Sequence, residues 1–170
     1  FGMLQLSPDN GVSEWDWCSG YHVSDSITIG FSHLHLSGTG IGDLGDIRFM
    51  PVNKKVDLSK PVKTRDDIPF KSTYSHEQET AEAGYYSVFL KDFNIKAELT
   101  SDLRTAFHQY TFIENDMQSL IIDLGYAFNW DKTEISHLKI EDKFTVTGYR
   151  HSSGWAKNQK VFFVAKFSKS

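Results

Sequence analysis

The feature that most restricts the fold is a strict two-residue alternation that opens at Tyr85. Tyr86, Val88 and Leu90 recur at every second position. Phe93, Ile95, Ala97 and Leu99 then fall on one side, against Asn94, Lys96, Glu98 and Thr100. Successive side chains of an extended chain point to opposite faces, so the pattern is that of strands burying one face. It continues through residues 107–112, 120–124, 135–140, 144–149 and 161–167, with turn residues such as Glu114-Asn115-Asp116 and Ser152-Ser153-Gly154 between the runs. Short strands at this spacing predict an all-β chain, an antiparallel β-sandwich.

The first half is less regular. Residues 3–6 read as a short strand, followed by a turn at Pro8-Asp9-Asn10-Gly11. Residues 27–29 and 31–36 are strand-like, with His33 and His35 on one face. Residues 47–50 form another strand stopped by Pro51, residues 53–69 a charged loop, and residues 72–84 a further loop. At 170 residues, with 14% aromatic side chains, the chain is long enough for one core-forming domain. A formal charge of −4 without any basic run excludes a phosphate-backbone partner, so no nucleic acid is expected. The single cysteine, Cys18, excludes an internal disulfide and a multi-cysteine zinc site. No apolar run approaches the roughly 20 residues of a membrane span, and the first residues carry no signal-peptide pattern. The opening Phe1-Gly2-Met3 suggests a piece excised from a longer protein.

Residues 15–46 concentrate the chemistry: Trp15, Trp17, Tyr21, three histidines, four acids and, between Gly30 and Gly45, five glycines. Gly40-Ile41-Gly42-Asp43-Leu44-Gly45 spells a dinucleotide fingerprint, but that motif works only where a strand enters a helix, and the continuation is strand-like. His33 and His35 are a possible metal pair, with Asp43 or Asp46 adding oxygen, though no third ligand stands at a recognisable spacing. Cys18 with His22, or Ser37 with His35, supplies residue types for nucleophilic catalysis without evidence of triad geometry. Asp16, Asp25, Asp43, Glu77 and Glu79 are candidate glycosidase carboxylates that nothing pairs, and solvated acids are the default. Trp15, Trp17 and Tyr21 beside Ser19, His22, Asp25 and Ser37 suit a sugar: a flat ring stacks on the C–H face of a pyranose while short polar groups bind hydroxyls. Trp155 belongs either to that surface or to the core.

The segments Phe1-Gly2-Met3-Leu4-Gln5-Leu6-Ser7-Pro8-Asp9, Cys18-Ser19-Gly20-Tyr21-His22, Gly30-Phe31-Ser32-His33-Leu34-His35-Leu36-Ser37-Gly38-Thr39-Gly40 and Gly42-Asp43-Leu44-Gly45-Asp46 resemble a known family. Gly84-Tyr85-Tyr86-Ser87-Val88 and Ser152-Ser153-Gly154-Trp155-Ala156 extend the likeness along nearly the whole chain. The family is the N-terminal domain of glycoside hydrolase family 92, the calcium-dependent exo-α-mannosidases. The resemblance implies a supersandwich of mutarotase-like type, filling residues 1–170 and packed in the full enzyme against a C-terminal (α/α)6 catalytic domain. It implies hydrolysis of terminal α-linked mannose with inversion, calcium contacting the mannose hydroxyls. Nothing here resembles the helical domain, which carries the acid, the base and most calcium ligands. The expectation is a chain inactive alone, without calcium of its own, that lines one side of the mannose site. Phe1, Gly2, Trp17, Cys18, Ser19, Tyr21, His22, His33, His35 and Ser37 are the expected substrate-binding residues, Trp17 stacking on the sugar. An exposed apolar docking face that favours self-association, an exported parent enzyme and a mannose-rich glycan as partner complete the expectation. The rival readings are an autonomous carbohydrate-binding module and a cupin-like metalloenzyme using His33 and His35.

Overall fold

The structure, a computed structural model, describes residues 4–36, 42–113 and 117–169. Among these, fifteen strands follow in chain order: β1 (Ser7–Asp9), β2 (Ile27–Thr28), β3 (Gly30–Ser32), β4 (Leu34–His35), β5 (Leu44–Asp46), β6 (Arg48–Val52), β7 (Ser72–Thr73), β8 (Glu79–Glu82), β9 (Tyr85–Leu90), β10 (Ile95–Ser101), β11 (Ala106–Phe112), β12 (Ser119–Asp123), β13 (Lys132–Ile140), β14 (Thr145–Ser153) and β15 (Gln159–Lys166). One sheet has the order β1-β3-β6-β12 and a second β11-β10-β9-β8. A third is β13-β14-β15, and β2-β7 and β4-β5 are two-stranded ribbons. All the pairings are antiparallel.

The alternation in β9 and β10 produces the core directly. Ile95, Ala97 and Leu99 are buried while Lys96 and Thr100 are exposed. With Val88, Leu90 and Phe93 they pack against Ile29, Phe31, Met50 and Val52 of the first sheet and its approach. Phe31, Leu90 and Ile95 are wholly buried, each contributing roughly 1.5–3 kcal/mol by leaving water.

Three local expectations are corrected. The turn read at Pro8-Asp9 is strand: β1 pairs Pro8 with Phe31 and Asp9 with Gly30, and the strand expected at 3–6 starts at Ser7. β1 is the edge of its sheet, where a residue without an N–H is tolerated. The loop read at 72–84 contains β7 and β8. β8 is also an edge strand, with Thr80, Ala81 and Glu82 exposed, so main-chain bonds to β9 hold it without any apolar stripe. Ser152 and Ser153 read as turn, yet they extend β14 and pair with β13.

The third sheet is only partly covered. Val161, Phe163 and Ala165 are half-buried, while Phe162 and Val164 on the opposite face are 69% and 65% exposed. Ile135, Leu138 and Ile140 of β13 are exposed as well.

Candidate functional site

Residues 15–22 form the most sculpted surface segment. Trp15–Trp17 is a single 3-10 turn, stopped at Cys18, whose N–H donates to the Trp15 carbonyl. Trp15 projects outward, whereas Trp17 is half-buried and lies against His22, ring centroids 4.5 Å apart. Cys18 and Ser19 are half-buried. His22 Nδ1 engages Ser24 Oγ at 2.7 Å, so that nitrogen does not serve Cys18. Asn10 anchors the segment from below: its N–H donates to the Gly20 carbonyl, its Oδ1 accepts from the His22 N–H, and its Nδ2 donates to the Ile27 carbonyl. Tyr21 donates to Glu79 Oε2 at 3.1 Å, a carboxylate that also accepts from Tyr86 at 2.6 Å. Burial, then the Glu79 charge, pushes the Tyr21 hydroxyl up to about 12.

The two strand histidines go to different tasks. His35 is buried; its Nδ1 meets the Gln5 carbonyl, and its Nε2 lies 2.8 Å from Ser32 Oγ and 3.0 Å from Asp9 Oδ1. Serine and acid sit on the same nitrogen and out of solvent, so this is an internal ion pair and lacks the relay geometry of a nucleophile. Burial alone would lower His35, but the hydrogen bond and charge of Asp9 reverse the sign and raise it. His33 leans on Phe49 and reaches across to β11, its Nε2 at 3.0 Å from His108 Nε2. His108 Nδ1 lies 2.8 Å from the Tyr110 hydroxyl, and His33 Nδ1 meets the Ile47 carbonyl. The carbonyl must accept, which assigns every proton: Tyr110 donates to His108, His108 to His33, His33 to Ile47.

This chain of bonds has a pH consequence. Burial lowers both rings, His108 down to about 3 with His33 as the second cause. Between the ordinary histidine value of 6.5 and the folded values, the unfolded chain binds protons that the folded one refuses. The stabilisation is therefore complete above pH 6.5 and declines as pH falls through that window, while His35, raised, acts in the opposite sense. Two rings against one leave a net loss on acidification. Urea unfolding free energy is expected to drop by on the order of 1 kcal/mol per pH unit between pH 6.5 and 5, and less steeply in His108→Phe. A flat profile over that range would refute the assignment.

The acids depart furthest from the expectation of solvation. Asp43, Asp46 and Asp131 are 3%, 1% and 7% exposed; Asp46 and Asp131 bind Arg150, itself 1% exposed, and Asp43 lies close enough to act on Asp46. Arg150 Nη1 donates to Asp46 Oδ1 at 2.5 Å, Nη2 to Asp131 Oδ2 at 2.9 Å and Nε to Thr133 Oγ1 at 2.7 Å. The cluster clamps β14 of the third sheet to β5. Burial pushes the Asp46 carboxyl up, Arg150 pulls against it, and Asp131 and Asp43 add to the rise. Calcium requires about six to eight oxygens converging on it. Here two of the three carboxylates are bound to a guanidinium, and among the described residues no three His, Cys, Asp or Glu side chains are arranged to hold a metal.

Phe1, Gly2 and Ser37 lie outside the described residues. The rest of the expected wall is contiguous with segments that sequence reasoning did not place there. A Cβ built on Gly20 would lie 3.2 Å from the Phe128 ring, and one on Gly42 3.2 Å from the Cys18 carbonyl. Asn129 Nδ2 donates to the Gly42 carbonyl at 2.7 Å, and the Trp155 N–H to Asp43 Oδ2 at 3.1 Å. Asp9, Asn10, Glu79, Asp131 and Arg150 were missed as organisers of the site, because their partners lie 12 to 104 residues away or within turn-like sequence.

Comparison with known proteins matches the glycosyl hydrolase family 92 N-terminal domain over residues 1–170. The chain superimposes on the family GH92 α-mannosidase BT3965 from Bacteroides thetaiotaomicron in complex with mannoimidazole, with a TM-score of 0.88 and 40% identity. That match covers 98% of this chain and 22% of that one. The GH92 inverting mannosidase BT2199 from Bacteroides thetaiotaomicron VPI-5482 shares the fold at TM-score 0.71 and 24% identity, covering 96% and 20%. No curated protein matches.

Proposed function

This chain belongs to the glycosyl hydrolase family 92 N-terminal domains, and on that premise we propose that it is the non-catalytic wall of the mannose site in an inverting exo-α-mannosidase, with α-1,2-linked mannose as substrate. The observation that carries the reading is the 17–22 segment: an aromatic and polar surface turn whose backbone is held rigidly by buried Asn10. Such a segment can orient sugar hydroxyls while protons are moved elsewhere. The clustered carboxylates point the same way. Asp43, Asp46 and Asp131 are buried, and a general acid or base must reach the glycosidic oxygen or its water. On this reading calcium, acid and base belong to the remainder of an exported polypeptide, since the chain spans about a fifth of the mannosidases it matches. The exposed apolar strands of the third sheet are where that remainder docks, and where the isolated domain self-associates.

The test is turnover of a chromogenic α-mannoside by the purified 170-residue chain, with and without calcium. No turnover is expected. Hydrolysis that disappears on changing Asp16 or Glu77, both exposed, would overturn the non-catalytic role. The outward-facing Trp15 also favours a second reading, an autonomous carbohydrate-binding module, which requires saturable sugar affinity from this chain alone.

A further inference from the structure

Trp130 and Trp155 stand 55% and 56% exposed, their ring centroids 6.0 Å apart and their planes inclined by 56°. Twenty-five residues separate them in sequence, yet each adjoins the buried acid cluster, Trp130 through its neighbour Asp131 and Trp155 through Asp43. Trp130 lies between Asn129, bonded to the Gly42 carbonyl, and Asp131, bonded to Arg150. The backbone N–H of Trp155 donates to Asp43 Oδ2. The preceding residue must be glycine, because a Cβ there would lie 2.5 Å from Asp43 Oδ1 and 3.2 Å from Asp131 Cβ. Two large indoles are thus exposed above backbone that is tied to buried acids.

We propose that Trp130 and Trp155 form a second sugar subsite, taking a neutral pyranose adjacent to the one addressed by the 17–22 wall. The proposal rests on the preceding functional reading for the identity of the sugar. Inclined rings cannot clamp a flat ligand between parallel faces; they present two faces, one under a pyranose and one against its side. The charge beneath favours the same ligand. Beneath the platform Asp43 accepts from the Trp155 backbone N–H while Asp46 and Asp131 are bound to Arg150, so the acids outnumber the guanidinium, which suits the partially positive C–H hydrogens of a sugar face and disfavours an anionic sugar. Exposed Asn129, the neighbour of Trp130, and exposed Asn158, three residues beyond Trp155, supply side-chain amides for hydroxyls. The subsite adjoins the wall through Gly42, which touches Asn129 on one side and the Cys18 carbonyl on the other.

The test is an NMR titration of the indole N–H signals with methyl α-mannoside, α-1,2-mannobiose and mannuronic acid. Mannobiose is expected to shift Trp130 and Trp155 together, saturating on the order of millimolar. Mannuronic acid should bind at least several-fold more weakly. Trp155→Ala should abolish the Trp130 shift while the remaining spectrum keeps its dispersion. Movement of Trp17 without the pair would overturn the second subsite and leave the wall intact; movement of the pair without Trp17 would do the reverse. Since both rings and their base lie within this chain, silence of the pair at about 50 mM mannobiose overturns the proposal.

Discussion

Replacing Arg150 by methionine is expected to lower the unfolding free energy by on the order of 3–5 kcal/mol, the usual cost of stranding buried charge. The guanidinium is the cation bonded to Asp46 and Asp131, both almost completely buried, and Asp43 adds a third carboxylate nearby. Methionine fills similar volume, so the loss reads the charge rather than a cavity. Arg150→Lys keeps the charge but loses the fork that spans Nη1, Nη2 and Nε, and should recover only part of the stability. Urea unfolding of the two variants against the parent measures both effects. A loss under about 1 kcal/mol in Arg150→Met would mean that the acids are neutral or hydrated in the folded chain. If the methionine variant does not fold, the lysine variant still reports through its own loss against the parent.

The second large effect is expected at Gly20. Its φ is +92°, where a side chain is strained, and a Cβ would lie 2.6 Å from Asp9 Oδ1 and 3.0 Å from His35 Nε2. Gly20→Ala should therefore cost roughly 2–4 kcal/mol, from backbone strain and from prising apart a fully buried ion pair. Gly84→Ala is the internal control. Gly84 has a similar φ of +80° with nothing within 4 Å, so it carries the backbone strain alone, about 1 kcal/mol. Equal losses at the two positions would show that the Asp9–His35 pair yields to the methyl at no cost. Since Gly20 closes over His35 in the centre of the expected wall, a shift of the His35 ring signals in Gly20→Ala would locate the damage.

The sandwich was legible because burial on one face of a strand imposes a period of two, and that period is a local property of sequence. Residues 93–99 carry it without interruption and occupy the centre of the core. The edges were less legible. β1 and β8 are held by main-chain bonds to a neighbour, which any sequence can make, so Pro8 and the run Glu79–Glu82 looked like turn and loop. The family likeness marked residues 18–22 and 33–37 as parts of one expected wall, but His33 and His35 looked equivalent on one face. The fold sends one to His108, 75 residues away, and the other to Asp9.

By itself the sequence determined the all-β class, the strand-rich core and membership of the family, since each depends on residue type at short spacing. Only the tertiary structure decided the charges. An aspartate is solvated or buried according to what the rest of the chain places beside it, and Asp46 is buried because Arg150 arrives from 104 residues away. Electrostatic free energy depends on distance and on exclusion of water, and neither is a property of neighbouring letters.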